Sequence, residues 1–539
     1  MSRKLSRRDC LRMAALAPVV APALAPVAAN AQPASPQASS EPARTTYFGD
    51  LHNHNAIGYA SGSLRRTFEI ARNHLDFFAF TPHGYWPDIE HFQDSIEDKW
   101  TNGFAVVKER WPEVVAMAKE FDDPKTFCCM LGYERHSTHV GDYHIVFPTL
   151  DAPYERQADL RDFQRFAKKH DAIAIPHHPA NRRGYRGADP SLWDPEVSPL
   201  LEIFSEWGLA EHDRAPYPYK RHTPGGRWTQ NTMQWYLEEG RRFGVVASTD
   251  DHLGYPGGYR QGLAAVQARD LTRESIFEAM RERRTYAVTG DRIELDLHVN
   301  GRPMGSELRY AKKRRIQVDV TGWDPIDRVE LTENNHVIHR DHPIDRKPTE
   351  ASWRKPVLVR LEYGWGPWAA LAMARTFDWD IQIDVEGGKL LELHPCFTPG
   401  PLSESRRDRI VEIKPSGARV ISFTALKQQV DDFAQKAVVM KLQGDPKTRL
   451  RIRINGGKAG DFTQTLGDLE RSNEMLYTGE FPRESAMLHR VVFADHYQTS
   501  FEIEDDGPAD RDAWYYARVT QTNQQMAFST PIWVNRQGS

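Results

Sequence analysis

Apolar and polar positions follow two different rhythms along this chain. In the first half, short apolar runs end in histidine-bearing segments, and stretches with helical spacing separate them. Tyr47 to Leu51 predicts a strand that ends at His52 and His54. Ser63 is placed to cap a helix whose Leu64, Phe68, Ala71 and Leu75 fall on one face. Phe77 to Thr81 predicts a second strand, ending at His83. The unit then repeats. Thr126 to Gly132 delivers Glu134, His144 introduces the apolar Ile145 to Phe147, and a helix is expected over Phe163 to His170. Ala172 to Ile175 ends in Pro176-His177-His178-Pro179, and Leu200 to Phe204 carries Glu202. A helix over Thr232 to Arg242 precedes the strand Gly244 to Ser248, which ends in Thr249-Asp250-Asp251-His252, and Ile276 to Arg283 is a last amphipathic helix. Strands alternating with helices imply parallel βαβ units, and polar chemistry at strand C-termini is the habit of a closed β/α barrel.

Beyond Ile293 the period shortens to two. Ile316 to Val320, Ile381 to Val385 and Leu450 to Ile454 alternate strictly, and Tyr515 to Thr520 and Pro531 to Val534 are also strand-like. Short alternating strands between turn residues predict a C-terminal all-β sandwich region of one or two modules, with one helix expected over Ala425 to Ala437. The expected boundaries are a barrel over 46–295 and a β-rich region over 296–539.

Composition changes this picture little. The chain has 539 residues, 40% hydrophobic and 27% charged, enough for more than one globular core. A formal net charge of −4 offers no basic field for nucleic acid. The N-terminus reads as a targeting segment over 1–31. Arg3, Lys4, Arg7 and Arg8 precede an Ala-rich run to Ala29, and Ala29-Asn30-Ala31 is a small-residue cleavage site. Arg7-Arg8 resembles a twin-arginine signal, which makes the export machinery a partner and the periplasm or the exterior the expected location. Pro18, Pro22 and Pro26 break the apolar run, so it predicts no membrane anchor, and no later stretch approaches a span. Residues 32–45, rich in Pro, Ser and Ala, read as a linker. Cys128, Cys129 and Cys396 remain after such cleavage, an odd set that predicts no disulfide framework.

The chemistry concentrates at the strand ends. On a strand, His52 and His54 share a face with each other and with Asp50, which suits a metal site; the plainer alternative is two surface histidines on a loop. His83, Glu134, His144, His177 or His178, Asp250 and His252 extend the set. Imidazoles and carboxylates without cysteine suit zinc, manganese or iron rather than a structural zinc site. A carboxylate such as Glu134 has two oxygens and can bridge paired ions.

The motifs DLHNH, TPH (Thr81 to His83), GYE (Gly132 to Glu134), PHHP and STDDH, in this order, resemble the polymerase and histidinol phosphatase (PHP) superfamily of metal-dependent enzymes. The nearest likeness is to its exported, carbaryl-hydrolase-like branch, through GDLHNH and, more loosely, RTYAVTGDRI and STPIWV in the tail. The resemblance implies a distorted TIM-like barrel. It also implies two divalent ions, one held by His52, His54, Glu134 and Asp250, the other by Glu134, His144 and His178. In that alignment His178 directly precedes the proline and takes the ligand role, while His177 faces the substrate. His83 and His252 would belong to a third position. Gly58-Tyr59-Ala60 supplies no ligand where the family has one, so that position is expected to be empty.

The resulting expectation is an exported hydrolase that turns a metal-bound hydroxide on a small ester, carbamate or phosphoester. His252 would polarise the substrate, and His83, His177 or water would supply the leaving group's proton. A lyase on the same barrel and a binding protein with an inactive barrel are the alternatives. Arg182, Arg183 and Arg186 follow PHHP and are candidates for a substrate clamp, against the plainer reading of a solvated loop. Glu202 is placed to orient a ligand histidine, and Asp251 should point away from the site. Trp207, Trp228 and Trp235 are pocket or core residues.

Overall fold

A computed structural model of the chain describes residues 44–220, 224–366, 376–425 and 435–538. The segment 1–31 expected to be a signal, most of the expected linker and most of the helix expected over Ala425 to Ala437 lie outside them; Ala425 itself ends a strand, and Lys436 begins the next. The fold is mixed α/β with several sheets, and its C-terminal part is β-rich. None of the described helices is long and apolar enough to cross a membrane.

The site-bearing strands are β1 (Thr45–Asp50), β2 (Phe77–Phe80), β3 (His83–Tyr85), β4 (Cys128–Arg135), β5 (Asp142–Phe147) and β6 (Ile173–His177). They continue with β7 (Leu200–Ser205), β8 (Gly208–Leu209), β9 (Gly244–Ala247), β10 (Leu263–Ala268) and β11 (Thr285–Val288). One sheet runs β11-β10-β1-β2-β4-β5-β6. β1, β2 and β4 are mutually parallel, as βαβ units require. β10 pairs antiparallel with both β1 and β11, and β5 with both β4 and β6. A second sheet, β8-β7-β9, lies with β7 beside β6 and β9 beside β11. Most of these strands are buried along their whole length, so they carry apolar runs rather than alternation.

Helix α1 (Leu64–His74) forms where the sequence places it: the Ser63 side chain accepts from Arg66 N, and Leu64, Phe68 and Ala71 are buried. The longest helix, α2 (Asp98–Phe121), has no counterpart in the sequence reading. It buries Phe104, Val107, Trp111, Val114, Ala118 and Phe121, a regular three-four spacing that continues through Pro112. The remaining helices of this half are α3 (Leu160–Lys169), α4 (Met233–Glu238) and α5 (Arg273–Arg281), capped by Asp159, Thr232 and Thr272. α4 is shorter than the expected Thr232 to Arg242, because Gly240 takes a positive φ of 76° and ends it.

In the β-rich region the alternation is real. Strands Val357–Tyr363 and Lys436–Gln443 belong to one five-stranded sheet, and Thr376–Glu386 and Arg449–Ile454 to another. Val359, Leu361, Ile381, Ile383, Met440 and Ile452 from the two sheets share one core. The last strands turn back: Met526–Ser529 pairs with β11, so the sheet that carries β1 continues into the C-terminus. Hydrogen bonding therefore crosses the boundary expected at residue 296.

Candidate metal centre

Register builds the centre. His83 on β3 stands opposite Glu134 on β4, Glu134 opposite His144 on β5, and Asp142 on β5 opposite His177 on β6. Side chains directly opposite on one face meet, so two rows, His83–Glu134–His144 and, two residues along on β5, Asp142–His177, collect the donors. Gly132 permits the close approach of β4 and β5: a Cβ there would sit 1.8 Å from the Ile145 carbonyl oxygen.

The fourth wall comes from Thr249-Asp250-Asp251-His252, which bonds to the segment after β1 through Asp250 N to His52 O (2.8 Å) and His54 N to Asp251 O (2.9 Å). Asp250 lies at the focus. Its Oδ1 is 2.9 Å from His54 Nε2 and 3.6 Å from His52 Nε2, and its Oδ2 is 2.9 Å from His178 Nε2. Glu134 occupies the opposite side, with Oε1 2.8 Å from His177 Nε2 and Oε2 3.6 Å from His54 and 3.7 Å from His83. Asp250 (φ 52°) and His178 (φ 46°) both hold the left-handed backbone conformation that side-chain-bearing residues rarely adopt, and both aim a ligand atom inward.

Two carboxylates near these donors have other duties. Asp50, expected on the face of His52 and His54, instead accepts from Thr249 N and Oγ1 and from Gly257 N. Burial pushes it up to about 6 despite those bonds. Asp251 points away, accepting from Leu253 N and Tyr255 N, and burial raises it to about 7. Glu202 Oε1 lies 3.3 Å from His52 Nδ1, a placement that orients the ring.

The cluster is buried and electrostatically frustrated. Burial drives His54, His83, His144 and His177 well below the ordinary imidazole value and Glu134 well above the carboxylate value. Burial acts against charge on His52 too, but Asp250 and Glu202 outweigh it and raise that ring to about 10. Neither nitrogen of His144 or His177 completes a hydrogen bond; the Glu134 contact of His177 lies off the N–H direction. His52 Nε2 and Glu134 Oε2 also lack hydrogen-bond partners. Buried polar atoms are ordinarily paired, so converging lone pairs of this number fit divalent cations. Triplets with ligand atoms within 4.8 Å of one another include His52/His144/His177, His52/His54/Asp250, His177/His178/Asp250, His54/His83/His252 and His83/Glu134/His136.

All the residues assigned metal or catalytic roles from sequence, His52, His54, His83, Glu134, His144, His177, His178, Asp250 and His252, thus come together. His177 and His178 both reach a carboxylate, by different walls of the cluster. Of the three arginines only Arg186 reaches the centre: it donates to Asp142 Oδ2 (2.7 Å) and to His136 Nδ1 (3.2 Å). Arg183 turns to Asn231 and Gln230, over Trp228 and Trp235, and Arg182 lies over Tyr185.

His136 was missed. Its Nε2 is 3.2 Å from Glu134 Oε2, and it follows Glu134 by two positions, the spacing that returns a side chain to the same strand face. Tyr59 was named only for what it lacks. Its ring stacks on His83 at 3.6 Å, and its hydroxyl lies 3.4 Å from His136 Nε2. The mouth is on the His252 and His178 side, where the side chains are 32% and 14% exposed beside Trp207.

A family model described as "Protein of unknown function (DUF3604)" matches residues 258–312, a stretch holding β10, α5 and β11 and none of the clustered donors. Uncharacterized proteins of Chlamydia trachomatis (32% identical over 34% of this chain and 32% of the relative) and Chlamydia muridarum (31% over 47% and 45%) are similar. The chain thus spans less than half the length of these curated relatives. The crystal structure of a two-domain protein from Bacteroides vulgatus, containing a predicted PHP-like metal-dependent phosphoesterase, superposes with a TM-score of 0.30 at 13% identity. That match covers 81% of this chain and all of the other. At that score the superposition carries no argument about mechanism.

Proposed function

We propose that the chain is an exported, metal-dependent hydrolase with a PHP-type barrel, acting on a small ester, carbamate or phosphoester. The observation that supports it is the convergence of buried imidazole and carboxylate atoms around Glu134 and Asp250, several without any hydrogen-bond partner. The motif order and the exported branch it resembles add to the same reading, as do the strands β7 and β9 that lie beside β6 and β11. His52, His54 and Asp250, with Glu134, would hold one ion, and Glu134 and His144, with His178 as the resemblance has it or with His177, a second, zinc, manganese or iron by donor chemistry. Such ions supply Lewis acidity to water and to a substrate oxygen.

The chain's own residues do the rest. Glu202 fixes the His52 ring through Nδ1, and Asp142 fixes Arg186, whose guanidinium gives the inner wall a permanent positive charge. His83 and His252 approach Nε2 to Nε2 at 3.2 Å, so one of them carries the proton between them. His252 Nδ1 faces the Asp250 carbonyl oxygen at 2.8 Å, which fixes its ring at the open mouth and suits it to hand a proton to a departing group. His177, deeper and fully buried, is less able to do so. Tyr59 stacks on His83, one of the two histidines that would belong to a third position.

The test is turnover in isotopically labelled water by metal-loaded protein against an ester, carbamate and phosphoester panel. A hydrolase places solvent oxygen in the product. Product formed without the label assigns a lyase, and stoichiometric metal with no turnover on any substrate leaves a binding protein.

A further inference from the structure

A cavity of about 260 Å³ lies outside the metal centre. Tyr259, Arg360, Cys396, Thr398, Asn523 and His489 line it, drawn from the loop that follows Asp250-Asp251-His252 and from the β-rich region. At roughly 30 Å³ per water, it has room for about eight waters, the size of a small metabolite.

Its unusual feature is Arg360, nine-tenths buried. A guanidinium has five N–H donors, yet the hydrogen bond Arg360 makes is a long one of 3.4 Å to the Tyr259 hydroxyl, and its Nε has none. Two carboxylates stand nearby at ion-pair distance only: Asp291 at 3.6 Å and Asp324 at 3.7 Å. Their short bonds run through the other oxygen of each carboxylate: Asp291 Oδ2 accepts from Gln521 and Asn523, each at 2.6 Å, and Asp324 Oδ1 from Thr522 Oγ1 at 2.6 Å, while Asp291 Oδ1 and Asp324 Oδ2 face Arg360 beyond hydrogen-bond distance. Arg260 also stands at the wall; Lys436 is paired with Asp408 at 2.7 Å, and the His489 ring lies 2.8 Å from Glu362. A buried guanidinium with so few bonds is costly unless an acceptor completes it.

We propose that this cavity is a binding site for a small oxyanion, a carboxylate or phosphate group that Arg360 grips through the guanidinium N–H groups, Nε–H among them, that its long Tyr259 bond and its distant carboxylates leave without a hydrogen bond, with Thr398 and Asn523 as further lining polar groups. Tyr259 ties the site to the chain that carries Asp250, and its N–H bonds to Phe397 O at 2.8 Å across the two regions. A ligand here therefore braces the two halves against each other.

The experiment measures thermal unfolding and calorimetric binding of the full purified chain with acetate and with inorganic phosphate, against chloride at equal ionic strength. A saturable rise in the unfolding midpoint is expected for one of the two anions. Arg360→Gln should weaken it by about tenfold or more, the worth of one charge-assisted bond. Ala437→Leu, which fills the cavity without altering charge, should weaken it too. Asp250→Asn, at the metal centre, should leave it unchanged. Absence of a saturable rise with either anion means that water alone fills the cavity and overturns the proposal. A rise that survives Arg360→Gln, or Ala437→Leu where the first variant does not fold, overturns it as well. So does a rise lost in Asp250→Asn, because the anion then sits at the metal centre.

Discussion

Asp250→Asn keeps the size and shape of the side chain and removes the charge at the focus of the centre. The carboxylate has His54 and His178 at 2.9 Å and His52 at 3.6 Å, and it is 2% exposed, so no water can stand in for it. Partners that only orient a ligand typically cost about 10–100-fold in metal affinity, roughly 1.4–2.7 kcal/mol. Glu202→Gln, which touches His52 Nδ1 at 3.3 Å, should fall in that range. Asp250→Asn should exceed it, with more than about hundredfold loss, since it removes a direct ligand and the charge that offsets the cation. In metal-free protein the same change weakens two charge-assisted bonds, a cost of about 1–3 kcal/mol. The assay is bound metal by mass spectrometry after dialysis against graded chelator, with circular dichroism to show that the variant is folded. A folded Asp250→Asn that retains metal as tightly as Glu202→Gln would refute the placement of Asp250 as a ligand.

Four further outcomes are expected. Replacing Arg7 and Arg8 with lysine should leave precursor in the cytoplasm on fractionation, and normal export would exclude the twin-arginine route. Tyr255→Phe removes a 2.5 Å bond to buried Asp408; it should cost about 1–3 kcal/mol in chemical unfolding and loosen metal, whereas stability loss at unchanged affinity would confine Tyr255 to the fold. Metal content should fall in His178→Ala and, because His177 also reaches a carboxylate, in His177→Ala; full metal in either variant removes that residue from the ligand set. The last outcome concerns acid. Burial pushes Asp291 up, but bonds from His394 and Asn523 and the Arg360 charge outweigh it and hold the carboxyl well below its ordinary value. Its stabilising effect is thus complete above about pH 3.9 and lost as pH falls toward the folded value, so wild type should lose stability on acidification more steeply than Asp291→Asn; parallel curves would refute this.

What the sequence discloses about the centre follows from where strands end. His52, His54, Glu134, His144 and Asp250 were legible because apolar runs stop beside them, and a run that stops at a polar residue marks a strand leaving the core. The pairing of those strands was not legible. β10 reads LAAVQA, with neither alternation nor a turn signal to mark it, and its antiparallel place beside β1 depends on residues more than two hundred positions away. The return of Met526–Ser529 to β11 is non-local in the same way. Two omissions had a signal. The spacing of Phe104, Val107, Trp111, Val114 and Ala118 predicts α2 once Pro112 is tolerated, and His136 lies two residues beyond Glu134 on the same face. Arg182, Arg183 and Arg186 look equivalent in sequence, and only the partners Asp142 and Asn231 send one inward and another away.

The β-rich region is not an appendage to this centre. The loop after His252 has little structure of its own, and the contacts that hold it come from elsewhere. Arg66 of α1 donates to Leu253 O (3.1 Å), Gly254 O (3.0 Å) and Ser403 O (3.1 Å), so one buried guanidinium joins helix, loop and β-rich region. Glu404 caps the same helix through Ser63 N and Oγ. Tyr255 donates to Asp408, which also takes Lys436 Nζ at 2.7 Å and Ser422 Oγ at 2.6 Å. Asp251, one residue from the ligand carboxylate, accepts Tyr255 N at 2.6 Å. A strained Asp250 backbone needs surroundings that over-determine it, and here those surroundings are supplied from both halves of the chain. The β-rich region therefore supports the centre without contributing one of the clustered donors, by fixing the loop from which Asp250 and His252 project.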